Sequence, residues 1–381
     1  MKVTRMEKDV GFSFSVMDRY IGTLLLKAIL VVLIALIGIN SVFTLVDELG
    51  EHKAGYGLLE ALGYIAFTTP RRIYELAPFV IFMGALTGLS ILASHSELTV
   101  FRTSGVSVKR LLGAVLAPVI LLLLCSAFIG ESLAPWAEEQ AEIYKASFSR
   151  ESLNRGLDGD IPASSKSIKL SEYHWYKQGG LFMRTQALDE SGNMLGIKQY
   201  KVNQSRVLEW IRTAESAVYV GESQWRLNNV VETRFGEEGV RVIKHDYLLW
   251  NTDADPQQFS ASVLVEPRKM SIRDLLYQVD YMQREGLNST QYKLALWGKL
   301  FQPLSIIALT LLAVGFILGP LRNMAMGARL SVGLFVGLLF KYSQDLFGPL
   351  SVLYSLPPWF AVLLPILLTG IAGWWGLRRI N

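Results

Sequence analysis

The chain has 381 residues, of which 51% are hydrophobic and 18% charged, and its formal net charge is +4. That balance is too apolar for an ordinary soluble domain and places the chain in the membrane class. The basic residues stand in short clusters beside apolar runs, which excludes the basic, aromatic-interleaved stripe of a nucleic-acid binder, and the single cysteine, Cys125, excludes a disulfide or a cysteine-based metal site.

Crossing a hydrocarbon core takes roughly 20 apolar residues in helix. Six stretches meet that demand: Ile21 to Val46, Arg72 to Ser94, Leu111 to Gly130, Leu294 to Leu318, Met326 to Leu350 and Pro358 to Leu377. The first is longer than a signal-peptide core, runs into Asp47-Glu48 without a small-residue cleavage pattern, and reads as a retained anchor. The second extends back towards Gly57 as one long helix kinked at Pro70 and Pro78. Cys125, inside the third, reads as a small buried hydrophobe. Lysine and arginine collect at Lys2, Arg5, Lys8 and Arg19, at Arg102, Lys109 and Arg110, at Arg322 and Arg329, and at Arg378 and Arg379. With six spans all four clusters fall on one side, the cytoplasm, and both termini with them.

The chain organises as residues 1–131, a transmembrane half; 132–268, a polar insert outside the cytoplasm; and 269–381, a second transmembrane half. Within the insert, Leu181 to Thr185, Gly196 to Val202 and Val240 to Lys244 tend to alternate, with turn signals at Gly179-Gly180, Ser191-Gly192-Asn193 and Gly236 to Gly239. These predict an antiparallel β domain, a sandwich or jelly roll of short strands, with Trp175, Trp210, Trp225 and Trp250 in its core and edges. Ser271 to Gly286 carries Leu275, Leu276, Val279 and Met282 at helical spacing and predicts a short amphipathic helix on the outer membrane surface. The two halves show no visible inverted repeat.

No phosphate-binding loop, H-E-x-x-H or G-x-S-x-G motif occurs. The four histidines, His52, His95, His174 and His245, are too scattered for a metal centre. Any energy source must therefore come from a partner. In the connection from Ser94 to Gly105, Ser94 and Glu97 fit a capping box, Leu98 and Phe101 share one face, and Gly105 can end the helix in a left-handed cap. Such a short helix suits docking into a groove of a soluble partner, or lies on the membrane surface.

Arg71, Arg72, Lys299 and Lys341 stand at membrane depth, where a charge costs a few kcal/mol unless paired or facing a wet cavity. One reading is local ion pairing, Lys341 with Asp345 and Arg71 or Arg72 with Glu75, plus snorkelling. The other is a cavity that receives an anionic headgroup.

Several blocks together carry a resemblance. They are Asp18 to Gly22, Ser96-Glu97-Leu98-Thr99 with Ser104-Gly105-Val106, Ala134-Pro135-Trp136, Leu296 to Leu304, Phe316 to Arg322 and Gln344 to Pro349. The chain resembles the LptF/LptG permeases of the lipopolysaccharide exporter, and the Gly319-Pro320-Leu321-Arg322 block points to the G-type branch. The resemblance implies six transmembrane helices with a periplasmic all-β jellyroll-like domain between the third and fourth. It implies a Gram-negative inner membrane and a non-catalytic transport subunit, with ATP and Mg on the partner ATPase. The implied partners are an LptF-type subunit, an LptB ATPase dimer, LptC, the LptA bridge and lipopolysaccharide itself, in a lipid membrane and without nucleic acid. The family's coupling helix falls on Ser96 to Ser104, so Glu97, Leu98, Phe101 and Arg102 are the expected ATPase-coupling residues. Its lipid-contacting basic positions fall on Arg71 and Lys145, to which Arg72 and Lys341 are added as candidates for the lipid phosphates. One departure is Asp47-Glu48-Leu49-Gly50-Glu51-His52-Lys53, where some members carry a basic cluster and this chain has one lysine. A membrane-anchored scaffold for a periplasmic partner is the alternative from another class, though an anchor has no need of cations at depth. An ion-coupled transporter using Asp345, Glu75 and Lys341 would leave the cytoplasmic helix unexplained.

Overall fold

The computed structural model describes residues 16–50, 57–141, 144–145, 167–189, 193–203, 205, 207–221, 223–236, 239–252, 266–321, 324–354 and 356–378. Expectations resting on Lys2, Arg5, Lys8, His52, Lys53, Ser191, Gly192, Arg322 and Arg379 lie outside the described residues, as does the side chain of Trp175.

Apolar sequence becomes helix where lipid offers the backbone no hydrogen-bond partner. The helices are α1 (Val16–Gly50), α2 (Leu58–Ser94), α3 (Glu97–Thr103), α4 (Val108–Ala141, with a π turn at Ile129–Leu133), α5 (Ile272–Arg284), α6 (Thr290–Leu318), α7 (Met326–Leu353) and α8 (Pro358–Arg378). Among the described residues five helices are long and apolar enough to cross a membrane: α1, α2, α4, α6 and α8. The expected span at Met326 to Leu350 does form a helix of 28 residues, but it is not among the five. Lys341-Tyr342-Ser343-Gln344-Asp345 interrupts its apolar run.

The chain divides into two compact units, and the division runs through helices: one unit holds 1–42, 72–130 and 297–381, the other 43–71 and 131–296. In the first, Leu25, Phe82, Leu86, Leu89, Leu111, Leu309 and Leu312 are buried in one apolar core. Two helix pairs there touch through glycine. A Cβ on Gly84 would stand 2.5 Å from the Cα of Ile29, and one on Gly373 would stand 2.7 Å from the backbone N of Leu312. Small residues are what let backbones approach this closely in a membrane. Cys125, expected inside, is exposed. It shares its face of α4 with Leu121, Leu124 and Phe128, which are also exposed.

The second unit contains one six-stranded antiparallel sheet in the order β1-β2-β3-β4-β5-β6: Ser167–Gln178, Leu181–Asp189, Met194–Val202, Leu208–Gly221, Gln224–Gly236 and Gly239–Asn251. Where a sandwich or jelly roll was expected, every described strand pairs with its neighbour in sequence. Short turns after each strand make that meander the cheapest pairing. The core of this sheet is Met183, Met194, Ile197, Ala217, Trp225, Leu227 and Trp250, with Trp210 partly buried against it. Helix α5 starts where Ser271 Oγ accepts the amide of Asp274 at 3.1 Å, and it buries Leu275 and Gln278 while Leu276 faces out. It docks on β1: Tyr281 donates its hydroxyl to the Lys177 carbonyl at 2.6 Å and its ring stacks on Tyr176 at 5.4 Å. Burial pushes the Tyr281 phenol well above its usual range.

Candidate functional site

Between α2 and α4 the expected capping box does not form. Ser94 ends α2 and donates its hydroxyl to the Ser90 carbonyl at 2.8 Å, while the residue that precedes α3, Ser96, adopts φ 61 and caps with no side chain. The reversal at Ser96 turns the chain too sharply for the Ser94 hydroxyl to reach back to Glu97. The far end behaves as expected. Gly105, at φ +87, carries a Schellman cap in which Val106 N bonds Phe101 O at 3.0 Å and Gly105 N bonds Arg102 O at 3.1 Å. Glu97 accepts the Tyr20 hydroxyl at 3.2 Å, joining α3 to α1. Leu98 is only 5% exposed and packs, with Phe101, into the apolar core of its own unit. Arg102 is half-buried, and Val100, 58% exposed, is the apolar side chain that α3 presents outward.

The cations at depth fall into distinct settings. In the second unit, Arg71 Nε donates to Glu138 Oε2 at 2.9 Å, and Lys269 Nζ stands 2.8 Å from the other oxygen of the same carboxylate. Glu138 is 1% exposed, so one buried carboxylate is held by two cations from distant parts of the chain. Lys145 is bound in the same manner, 2.8 Å from Glu48 and 5.0 Å from the centre of the Tyr64 ring. Glu131 accepts the amide of Ile272 at 3.0 Å, which ties the π turn of α4 to the start of α5.

In the first unit, Arg72 Nη1 donates to Asn40 Oδ1 at 2.8 Å. Consecutive residues of a helix diverge by about 100°, so Arg71 and Arg72 reach different partners. Lys299 Nζ donates to the Gly130 carbonyl at 3.1 Å and lies over the Tyr74 ring at 5.3 Å. One turn on, Gln302 donates to the Tyr74 carbonyl at 2.7 Å. Pro78 has no N–H for that carbonyl, so α6 supplies the missing donor. Lys341 is exposed on α7, and the expected pair with Asp345 does not form. Among the described residues no group of three metal-ligating side chains comes together.

The sequence marks Arg71 and Lys299 as charges at depth, and the family resemblance marks Lys145, but neither finds Glu138, Glu48, Lys269 or Asn40. Arg71 and Glu138 are 67 positions apart, and Lys145 and Glu48 are 97 apart. No local pattern marks those carboxylates as counter-charges.

Several apolar helices, a separate antiparallel sheet domain and cations held in buried ion pairs fit a membrane permease. A model of the lipopolysaccharide export system permease LptF/LptG matches residues 19–379, and the chain belongs to that family. It is 31% identical over 374 residues to the lipopolysaccharide export system permease protein LptG of Escherichia coli strain K12, covering 96% of this chain and 99% of that one. It is 30% identical over 365 residues to LptG of Haemophilus influenzae, covering 95% and 98%.

Proposed function

We propose that this chain is the G-type permease half of an ATP-driven exporter that extracts lipopolysaccharide from the inner membrane and passes it to a periplasmic bridge. It pairs with an LptF-type half on an LptB ATPase dimer, works with LptC and LptA, and leaves ATP and Mg to the ATPase. Helix α7 is the fifth of six spans, its polar segment covered by a neighbouring subunit. The termini are cytoplasmic, and the sheet is the periplasmic, jellyroll-like domain within 132–268, flanked by transmembrane halves at 1–131 and 269–381.

The observation that carries this reading, beside the family match, is the set of clamped cations. Arg71 and Lys145 each hold a carboxylate at 2.9 and 2.8 Å, so their charge is covered until an anion arrives. A lipid A phosphate, with more charge and three acceptor oxygens, displaces Glu138 and Glu48 from them. Arg72 and Lys341 are further candidates for the lipid phosphates. In the coupling role, Glu97, Leu98, Phe101 and Arg102 receive the ATPase stroke. Because Leu98 and Phe101 are seated in the core, a push on α3 reaches the spans directly.

Lipopolysaccharide release from proteoliposomes holding the assembled exporter tests both ends. Arg71→Glu lowers lipid capture but leaves ATPase co-purification stoichiometric, whereas Glu97→Ala loses release by several-fold at unchanged protein level. Release equal to the parent in both variants would overturn the assignment.

A further inference from the structure

Helix α7 packs along α2 through one row of residues. Arg329, Gly333 and Gly337 follow one another at a spacing of one helical turn and so share a face. A Cβ on Gly333 would run into Leu86 Cδ2, and one on Gly337 would stand 2.6 Å from Phe79 Cε2 and 3.2 Å from Phe82 Cε1. The glycines bring the two helices into contact. Each such contact is weak and non-directional, and the directional one is the polar contact at the end of the row.

There Arg329, 5% exposed, donates from Nη1 to the Ser90 carbonyl at 3.1 Å and from Nε to the Leu321 carbonyl at 3.1 Å. Ser90 is fully buried, so water does not compete for that acceptor. Behind Ser90 the chain runs into α3 without slack. His95 N bonds Ile91 O at 3.1 Å, Ser96 N bonds Ala93 O at 3.1 Å and Thr99 N bonds Ser96 O at 3.0 Å, which carries the hydrogen bonding through the reversal. Leu98 and Phe101 of α3 share the apolar core with Leu86, Leu89 and Leu92 of α2. The end of α2 and the whole of α3 therefore form one piece.

Leu321 closes the far end of α6, its N bonding Phe316 O at 3.0 Å while its carbonyl also accepts Met324 N at 3.1 Å. One planar guanidinium thus holds the α2–α3 joint on one side and the connection from α6 to α7 on the other. A lysine, a point charge without the fork, does not reproduce two bonds at fixed separation. We propose that Arg329 is a positioning residue for coupling, the latch that makes α7 follow α3. The proposal rests on the reading of α3 as the helix that receives the ATPase stroke. Outward from the latch α7 presents Phe335, Leu339 and Leu346, all exposed, so a displacement passed through Arg329 reaches the surface of this unit.

The assembled exporter in proteoliposomes provides the test, read as lipopolysaccharide released per ATP hydrolysed. Arg329→Gln lowers that ratio at least fivefold while ATP hydrolysis and the amount of bound ATPase stay within twofold of the parent, and Arg329→Lys recovers part of it. Ser94→Ala is the control: it removes another donor to the Ser90 carbonyl, at 2.8 Å, without touching the link to Leu321, and keeps the parent ratio. A parent-like ratio in Arg329→Gln, or an equal fall in Ser94→Ala, would overturn the latch. So would failure of both substitutions at 329 to yield an assembled exporter, because the arginine would then serve folding and not coupling. A parent that releases no lipopolysaccharide would overturn the function proposed above, and the latch with it.

Discussion

A carboxylate that is 1% exposed and held between two cations is costly to disturb, because removing the charge leaves both partners partly buried without their counter-ion. Glu138→Gln keeps one acceptor for Arg71 and releases Lys269. The expected loss is on the order of 3 kcal/mol in unfolding, read as a lower denaturation midpoint in detergent. The same change removes the negative charge that competes with a phosphate for Arg71, so photo-crosslinking of lipopolysaccharide from a probe beside position 71 rises. An unchanged midpoint would show that the pair is incidental, and an unchanged yield would show that Glu138 does not compete with the lipid. At this scale Arg71 was legible in the sequence as a charge out of place, Lys145 only through the family resemblance, and Lys269 not at all. Nor were the partners, because Glu138 and Glu48 look like ordinary polar residues until the fold brings them within 3 Å.

Helices were legible as elements because lipid imposes one solution on a long apolar run. Their ends and contacts were less so. The capping box read from Ser94 and Glu97 failed at one residue, Ser96, whose φ of 61 no periodicity reveals. The strands at Leu181, Gly196 and Val240 were read from alternation, whereas β4 and β5 mix buried and exposed positions around Asn229, at φ 51, and gave no clean alternation. Contacts between helices rest on glycines whose role emerges only in pairs. Gly373→Ala drives a methyl group to 2.7 Å from a backbone nitrogen of α6, while Gly370→Ala meets only the Ala308 side chain at 3.7 Å. Overpacking of the first kind costs about 1–3 kcal/mol. Gly373→Ala therefore melts several degrees below the parent in detergent and Gly370→Ala does not; equal melting of the two would mean that α8 shifts freely against α6.

For the whole molecule, the sheet has its own buried core and contains no cysteine, so the segment from about Ala146 to Pro267 folds alone under reducing conditions. Far-UV circular dichroism of that fragment is expected to be β-rich; a mainly helical spectrum would refute this. Its acid stability follows from Glu232, whose carboxyl burial pushes up but hydrogen bonds from Arg234 and Arg212 hold below its usual range. A carboxyl whose folded value lies below its unfolded one contributes fully above the unfolded value, near 4.5, and loses that contribution as pH falls through the lower folded value. The melting temperature is therefore level from neutral pH down to about 5 and drops below about 4, and Glu232→Gln flattens the drop.

Arg329 raises a different matter, that of biogenesis. It is 5% exposed near the start of α7, the long helix that falls short of the apolar five, and its guanidinium is satisfied by the backbone carbonyls of Leu321, at 3.1 Å, and Ser90, at 3.1 Å. The second acceptor is synthesised 239 residues before the arginine that needs it. The helix that carries this acceptor is therefore made before α7 is. If α7 is the fifth span proposed above, the order of synthesis supplies what its composition lacks, and it inserts by joining its own earlier neighbours rather than by partitioning alone.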